Sequence, residues 1–538
     1  MIICYGNKIR QMQHGGTVKS RQKEIETMKQ TVKKVILLLS VLGIVLTGCA
    51  SRYGSLSRQK EDNHAVEAAD RAASERIIGC AAQQYDMTLT LDTDRNVIAG
   101  YEEILIRNTS GTTLDKIGLR YFAEANAPDS AITSIRNAQS GESFPVSMGK
   151  DDTVIFAELG EEGLLPDESI TLRVDFSTVI PERDNRFGYH EEAFGKMYLL
   201  TFWAPQIAMY ENGKWNEAPY FDAGESTYNA MADYTVTLTA PEDYVIAASG
   251  KQSTKGNTTT VTAPNVREMA IVACNYMTVD SETVDGVLLN MYRPAFEEYG
   301  ELYDVMAANA KEAVARFNQQ IGRYIYDELD VVPAYIGQGG MEMPGLVIES
   351  LPKEGGIVSR CYYGAAITVA HEVAHQWFYC AIGNDQYHEP WLDEAFATYY
   401  GSYYYHKTAN DALKLADEKE KALDGDGALS YLYNKADNNL FDVIHYDASM
   451  EYHYINLPCD RYPSEDYDGI VYQEGASFLD NLQKQMGDSF DAMISEWYEK
   501  NKSGIVHGSD FIRTVLEYDS SEPVVEILNR YLSDENIR

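Results

Sequence analysis

The chain has 538 residues, of which 45% are hydrophobic and 24% charged, so it is globular and too long for one ordinary core. Acidic residues outnumber basic ones by 82 to 45, and the net charge of −37 with no basic patch argues against a nucleic-acid partner. The seven cysteines are scattered along the chain and do not form a disulfide framework.

The N-terminal segment has the pattern of an export signal. Lys33 and Lys34 precede an apolar run over residues 35–46, which is too short to span a bilayer because a spanning helix needs roughly 20 residues. The run ends in Leu-Thr-Gly-Cys49, which resembles a bacterial lipobox. That resemblance implies cleavage before Cys49 and attachment of lipid to its thiol. The alternative is a chance cysteine after an ordinary signal peptide.

The export signal predicts where the protein works. Residues 1–48 are interpreted as a leader and lipoprotein signal peptide, and the polar stretch before Met28 suggests that translation starts at that methionine. Residues 49–80 are polar and Ala-rich, which is typical of a tether. We therefore expect an extracytoplasmic protein that a lipid anchor on Cys49 holds to a membrane.

A strand-like alternation of polar and apolar residues begins near residue 85 and ends near residue 285. Clusters of Gly, Pro, Asn and Asp separate the short runs, so an all-β domain over 81–285 is predicted. Its strands are predicted at residues 87–91, 103–107, 153–156, 170–176, 234–238, 244–248 and 258–263.

Helical periodicity replaces this pattern in the second half of the chain. Residues 301–320 repeat apolar side chains at three- and four-residue spacing, and a strand follows at 329–335. These features predict a mostly helical domain over 286–505 and a short C-terminal helical segment over 506–538, so the fold class is multidomain α+β. Further helices are predicted near 365–380, 391–405, 411–422, 474–486 and 488–500.

The sequence His371-Glu372-Val-Ala-His375 contains the groups of a zinc site. On a helix, residues four apart share a face, so both imidazoles can reach one metal. Glu372 can then act as a general base for a water molecule at the metal, without taking a coordination position.

A third ligand follows eighteen residues after His375. Glu394 lies just after Pro390, which is well placed to start a second helix. Two histidines and one glutamate leave the fourth position of a Zn²⁺ ion open, which is the arrangement of catalytic rather than structural zinc. One zinc ion per chain is therefore expected.

Together these motifs resemble the aminopeptidase N-like family of gluzincins, whose H-E-x-x-H is followed after eighteen residues by Glu in a W-L-x-E segment. A second family motif appears as Gly339-Gly340-Met341-Glu342, and a third as Tyr472-Gln-Glu-Gly-Ala. The resemblance implies that the strand with Gly339, Gly340 and Met341 lies along the substrate backbone, that Glu342 binds the free α-amino group, and that Tyr472 donates a hydrogen bond to the oxyanion. It also offers Gln206 as an amine-binding residue from the β domain.

The resemblance also implies a saddle-like β domain followed by a thermolysin-like catalytic domain, and an aminopeptidase acting on peptides. Met343 departs from the usual Asn of the family, which could alter the first specificity pocket or the position of Glu342. This departure and the short C-terminus leave a zinc endopeptidase as an alternative. A non-catalytic surface protein that binds peptides is a second alternative.

Overall fold

The computed structural model describes residues 78–193, 195–295, 299–351, 362–405, 410–424 and 453–538, together with 65, 68 and 69. The predicted leader, the predicted lipidation site Cys49 and most of the predicted tether lie outside this set. Within it, no helix combines the length and the apolar character that crossing a bilayer requires.

The N-terminal half is built on two long antiparallel strands, β1 (Ile78–Asp92) and β2 (Val97–Asn108). Both alternate buried and more exposed residues because only one face of the sheet meets the core. The further strands are β3 (Lys116–Arg120), β4 (Ala131–Asn137), β5 (Val146–Met148), β6 (Val154–Glu158), β7 (Ser169–Val179), β8 (Phe187–Glu192), β9 (Gly195–Leu200), β10 (Gln206–Ile207), β11 (Tyr210–Glu211), β12 (Lys214–Trp215), β13 (Ala232–Thr239), β14 (Val245–Ala248), β15 (Lys251–Lys255), β16 (Thr258–Val266) and β17 (Ile271–Cys274), with a short helix α1 (Ala123–Asn126) after β3.

These strands form three sheets. The largest has the order β15-β16-β13-β1-β2-β7-β4 with β11 and β12 at its side, and the smaller ones have the orders β10-β3-β6-β5 and β14-β17-β9-β8. Each predicted strand overlaps an observed one. The interior is apolar and aromatic, with Tyr85, Ile104, Leu172 and Trp203 all buried. The β architecture predicted for this half is therefore present.

A fourth sheet begins the second half. A hairpin of β18 (Met277–Val284) and β19 (Val287–Pro294) turns at Asp285-Gly286, where both residues have positive φ, as a two-residue hairpin turn requires. β19 pairs in parallel with β20 (Glu328–Ala334), and the sheet continues with β22 (Leu346–Ser350) and the edge strand β21 (Gly340–Met343). The turn at 285 therefore lies within one sheet.

Helices pack around a second core that contains Phe317, Val369, Phe396, Phe478 and Trp497. Residues past 505 contribute Phe511 and Leu528 to the same core. The helices are α2 (Gly300–Gln320), α3 (Tyr362–Ala374), α4 (Trp391–Thr398), α5 (Asp411–Asp424), α6 (Gly475–Met486), α7 (Asp488–Asn501), α8 (Gly508–Tyr518) and α9 (Glu522–Tyr531), with π-helical turns at Tyr399–Tyr404 and Asp468–Glu474 and short 3₁₀ turns at Cys459–Arg461 and Asp534–Asn536.

One arginine of the β domain joins the two halves. Arg267 is buried, and its guanidinium donates to the carbonyl oxygens of Tyr379 at 2.8 Å and Ala381 at 3.1 Å, and also to that of Gly504. A side chain at Gly383 would collide with it, since a Cβ there would lie 2.2 Å from Arg267 Cζ. The guanidinium thus fixes the turn that follows helix α3.

A buried histidine makes a second connection. His507 Nδ1 lies 2.5 Å from Glu389 Oε2, and its Nε2 lies 3.1 Å from Glu211 Oε1 on β11. Burial alone would lower the pKa of His507, but the carboxylates of Glu389 and Glu211 outweigh it and raise that pKa to about 9. A positive charge on His507 therefore links the β domain to the segment that leads into helix α4.

Candidate active site

Helix α3 brings two imidazoles together. His371 lies in its last turn and His375 directly after it, and their Nε2 atoms are 3.1 Å apart. The other ring nitrogen of His375 lies 3.2 Å from the carbonyl oxygen of Phe378, which orients the ring. The apolar face of the helix, including Val369 and Val373, is fully buried in the second core. The sequence spacing therefore produces a rigid pair of nitrogen ligands.

Glu394 completes this cluster from helix α4, which begins directly after Pro390. Its Oε2 atom lies 3.3 Å from the Nε2 atom of each histidine, and all three donor atoms lie within 4.8 Å of one another. The same Oε2 is buried and accepts no hydrogen bond from the described residues. A buried carboxylate oxygen that converges with two imidazoles is the donor set of a zinc ion, so the residues present fit that metal.

The surroundings of the cluster are strongly acidic. Carboxylate oxygens of Glu225 and Glu342 approach Glu394, and those of Glu342 and Asp393 approach His375. Burial would lower the pKa of His375, but the carboxylates of Glu394 and then Glu342 outweigh it and raise that pKa well above its usual range. The site therefore favours cations, both a metal ion and a positively charged substrate group.

Glu372 points from helix α3 toward the edge strand β21. A Cβ atom on Gly340 would lie 2.3 Å from Glu372 Oε1, so the missing side chain of that glycine makes room for the carboxylate. Burial raises the pKa of Glu372 well above its usual range, and the carboxylates of Glu342 and Glu349 reinforce the effect. A carboxyl group with a raised pKa holds a proton more readily than an exposed one, which a group that accepts and then donates a proton requires.

Strand β21 contains the predicted substrate-binding segment. Its outer edge has no neighbour among the described strands, and Gly339 precedes its first residue. Met341 and Met343 are buried in the core, whereas the Glu342 carboxylate reaches the metal cluster and accepts a 3.2 Å hydrogen bond from Gln386 Nε2. Because successive side chains of a strand point to opposite faces, Glu342 faces the metal cluster while Met341 and Met343 pack in the core.

Tyr472 lies across the cluster from the histidines. Its hydroxyl donates a 2.6 Å hydrogen bond to Glu394 Oε1, and its ring lies nearly parallel to that of His371, with 6.0 Å between centroids. The residue belongs to the π-helical turn just before helix α6. The structure therefore brings Tyr472 to the three predicted ligands, although 78 positions separate it from Glu394.

Gln206 is placed elsewhere. It lies on β10 inside the β domain, where its amide contacts Tyr234 and accepts a 2.7 Å hydrogen bond from Asn229. The acid that the β domain does contribute is Glu225, which accepts a 2.6 Å hydrogen bond from the buried guanidinium of Arg186. Sequence reasoning missed Glu225, Arg186 and Gln386, because each lies in a segment with no periodic pattern or motif.

The described geometry agrees with what comparison with known proteins finds. Residues 306–531 match the family model described as the peptidase family M1 domain. The chain is 23% identical over 477 residues to Aminopeptidase M1-C of Oryza sativa subsp. japonica, covering 84% of this chain and 49% of that protein. It is 27% identical over 319 residues to Aminopeptidase 2 of Candida albicans, covering 56% and 32%. The chain thus spans half the length, or less, of these curated relatives.

Among solved structures, an M1 zinc metallopeptidase from Deinococcus radiodurans superposes with a TM-score of 0.57 at 18% sequence identity. The match covers 86% of this chain and 95% of that one. It therefore extends over both halves of the described structure, and it confirms the predicted multidomain α+β fold.

Proposed function

We propose that this chain, whose residues 306–531 match the peptidase family M1 domain, is a zinc-dependent aminopeptidase that removes N-terminal residues from peptides. The observation that carries the proposal is one buried site that holds a cluster of His371, His375 and Glu394, with Glu372 beside it and the acid Glu342 on the edge strand β21. His371, His375 and Glu394 hold one zinc ion per chain. When bound, zinc polarises a substrate carbonyl and makes water more acidic.

The acids on the other side of the cluster select a free N-terminus. Glu342 and Glu225 each present a carboxylate oxygen within 4.8 Å of a carboxylate oxygen of Glu394 and of each other, so an ammonium group there donates at least two charge-assisted hydrogen bonds. Arg186 holds Glu225 in place, and Gln386 holds Glu342. An N-acetylated peptide has no positive charge to occupy this position, and binding it would leave the acids unpaired.

The proton transfers fall to Glu372. In this mechanism it accepts a proton from the attacking water and donates it to the amine that leaves when the first peptide bond breaks. Its raised pKa suits both steps, because the carboxyl group must hold the proton between them. Tyr472 donates its hydroxyl proton as a hydrogen bond to the oxygen of the tetrahedral intermediate, within reach of the Glu394 carboxylate. The substrate backbone pairs with β21 as an added strand.

The test uses aminoacyl-anilide reporters and matched N-acetylated ones. We expect the protein with one equivalent of zinc to cleave only the free-amine series, a chelator to abolish the activity, and added zinc to restore it. Glu372→Gln should retain the zinc while losing turnover. Equal cleavage of acetylated substrates would favour an endopeptidase, and stoichiometric zinc with no turnover on a peptide library would favour a binding protein.

We further propose that the enzyme meets its peptide substrates outside the cytoplasm, anchored by lipid on Cys49. The export signal before Cys49 supports this location. Expression in a bacterium with labelled fatty acid should label the protein and place it in the membrane fraction. Cys49→Ala should release the label, with Cys80→Ala, at a buried cysteine of the folded body, as the matched control. Equal labelling of both variants would contradict the anchor.

A further inference from the structure

A threonine of the β domain contacts the glutamine that holds Glu342. Thr227 is buried and makes two hydrogen bonds to Gln386. Its carbonyl oxygen accepts from the backbone N–H of Gln386 at 3.1 Å, and its hydroxyl donates to Gln386 Oε1. Thr227 also follows Glu225 by two residues. One segment of the β domain therefore supplies one amine-binding acid and contacts the residue that holds the other.

The hydroxyl of Thr227 decides which way the Gln386 amide faces. A side-chain amide has one oxygen, which accepts, and one NH₂ group, which donates. With Oε1 turned to Thr227, the NH₂ group donates to Glu342 Oε1 at 3.2 Å and to Asp393 Oδ2 at 2.7 Å. A rotated amide would place its oxygen against two carboxylates, neither of which can donate to it when ionised. Glu342 is therefore held only when the amide keeps this orientation.

A buried tyrosine contacts the same hydroxyl. Tyr379 Oη lies 3.2 Å from Thr227 Oγ1, and it also donates to Glu268 Oε1. The single proton of Thr227 goes to Gln386, so the threonine oxygen can only accept from Tyr379. Tyr379 then shares its proton between Thr227 and Glu268, as a three-centre hydrogen bond does. A continuous chain of hydrogen bonds thus runs from Glu268 in the β domain to Glu342 on β21.

The backbone of Tyr379 adopts a conformation that favours glycine. Its φ is +106°, and the residue is only 2% exposed. Its N–H donates to the carbonyl oxygen of Ile382 at 2.9 Å, and its own carbonyl oxygen accepts from Arg267 Nε at 2.8 Å, so the conformation is fixed. Such strain is concentrated at functional sites, and the contribution that a tyrosine makes here and a glycine cannot is the hydroxyl.

We propose that Thr227, supported by Tyr379, is a positioning residue for substrate binding, because it orients the Gln386 amide so that Glu342 stays in place to accept hydrogen bonds from the substrate ammonium. The proposal rests on the aminopeptidase function proposed above. It makes the recognition of a free N-terminus depend on a contact between the two halves of the molecule, since Thr227 lies in the β domain and Gln386 in the second half.

The first test measures KM and kcat on a leucyl-anilide. Thr227→Val removes the hydroxyl and keeps the shape of the side chain, so KM should rise about 10-fold while kcat changes less than about 3-fold. Thr227→Ser keeps the hydroxyl, and its KM should stay within about 2-fold of the wild type. Tyr379→Phe removes the supporting hydroxyl, which is one hydrogen bond further away, and should raise KM about 3-fold.

The matched control is Thr398→Val. Thr398 is a buried threonine of helix α4 whose hydroxyl has no hydrogen-bond partner among the described residues, so KM should not change. An unchanged KM in Thr227→Val would overturn the proposal, and so would an equal loss in Thr227→Ser. A fall in kcat without a rise in KM would overturn it as well, since that result indicates a structural role. If Thr227→Val does not fold, Thr227→Ser and Tyr379→Phe decide the question.

Calorimetric binding of leucinamide to the zinc-loaded protein separates this proposal from the aminopeptidase function, because binding requires no turnover. Thr227→Val should weaken leucinamide about 10-fold and leave N-acetyl-leucinamide unchanged. Equal weakening of both compounds would overturn the role of Thr227. Binding of leucinamide that depends on Thr227, without cleavage of the anilide by the wild type, would overturn the aminopeptidase function alone. A wild type that does not bind leucinamide would overturn both.

Discussion

The two sides of the candidate active site differ in how the chain builds them. The metal side comes from helices α3 and α4, whose ligands lie within 24 positions of one another in a single core. The amine side combines Glu342 from an edge strand with Glu225, which lies more than 100 positions earlier in the β domain. The first side follows from local helix geometry, whereas the second exists only when both halves of the molecule are in place.

This difference predicts different consequences of mutation. In the proposed mechanism, residues of the metal side act on the bond-breaking step itself, so their loss should lower kcat. In the same mechanism, residues of the amine side hold the substrate in register, so their loss should raise KM and weaken the discrimination against blocked N-termini.

The largest effect is expected on the metal side. Glu372→Gln removes the proposed general base while it preserves the shape of the side chain, so kcat should fall by about 10³-fold. Zinc analysis should still give one equivalent per chain. A variant that keeps more than a tenth of the wild-type kcat would show that Glu372 is not the base.

Tyr472→Phe should have the next largest effect. It removes one hydrogen-bond donor aimed at the oxyanion, which costs about 10²-fold in kcat with little change in KM. Stopped assays on a leucyl-anilide substrate provide the measurement. The control is Tyr467→Phe, which alters a buried tyrosine of the same segment that contacts the ring of Tyr472 but does not bond to Glu394. Equal losses in both variants would indicate a packing effect.

A smaller effect is expected on the amine side. Glu225→Gln keeps the side-chain volume and removes one of the two charges around the ammonium, so KM for free-amine substrates should rise about 10-fold while kcat changes less than about 3-fold. Gln206→Ala is the matched control from the same domain, and it should leave KM unchanged because its amide contacts Tyr234 and Asn229. A rise in KM with Gln206→Ala would reassign the amine-binding role.

The last prediction concerns stability rather than catalysis, and it tests the contact between the two halves. The folded-state pKa of His507, about 9, lies above its ordinary value of 6.5, so the protonated form stabilises the folded state. That contribution is complete below pH 6.5 and is lost as the pH rises through 9, at a cost of about 3 kcal/mol in the free energy of unfolding. Denaturant midpoints at pH 6.5, 8 and 9.5 measure it. His507→Gln should flatten the dependence of the free energy of unfolding on pH. If the wild-type and variant curves run parallel, the dependence does not come from His507.

Most of the metal side could be predicted from the sequence. His371, His375 and Glu394 follow from helix periodicity and ligand chemistry, and Tyr472 followed from the order of motifs rather than from any local pattern. The position of Gln206 could not be predicted in this way, because only long-range packing decides which β-domain residue reaches the active site. In the structure, Gln206 contacts Tyr234 and Asn229 inside the β domain. Glu225 lies in a loop held by Arg186, and no periodicity marks either residue. Strands were found at the predicted places because alternation is local.

The guanidinium of Arg267 has a consequence for dissecting this protein. Cutting the gene near residue 285, where the all-β pattern of the sequence ends, would remove the donor for buried carbonyl groups on the turn after helix α3, each worth about 1–3 kcal/mol when left unsatisfied. The excised C-terminal half would also lose β18, one strand of its own sheet. The two halves are thus interdependent for folding, and limited proteolysis should release neither of them as a stable fragment.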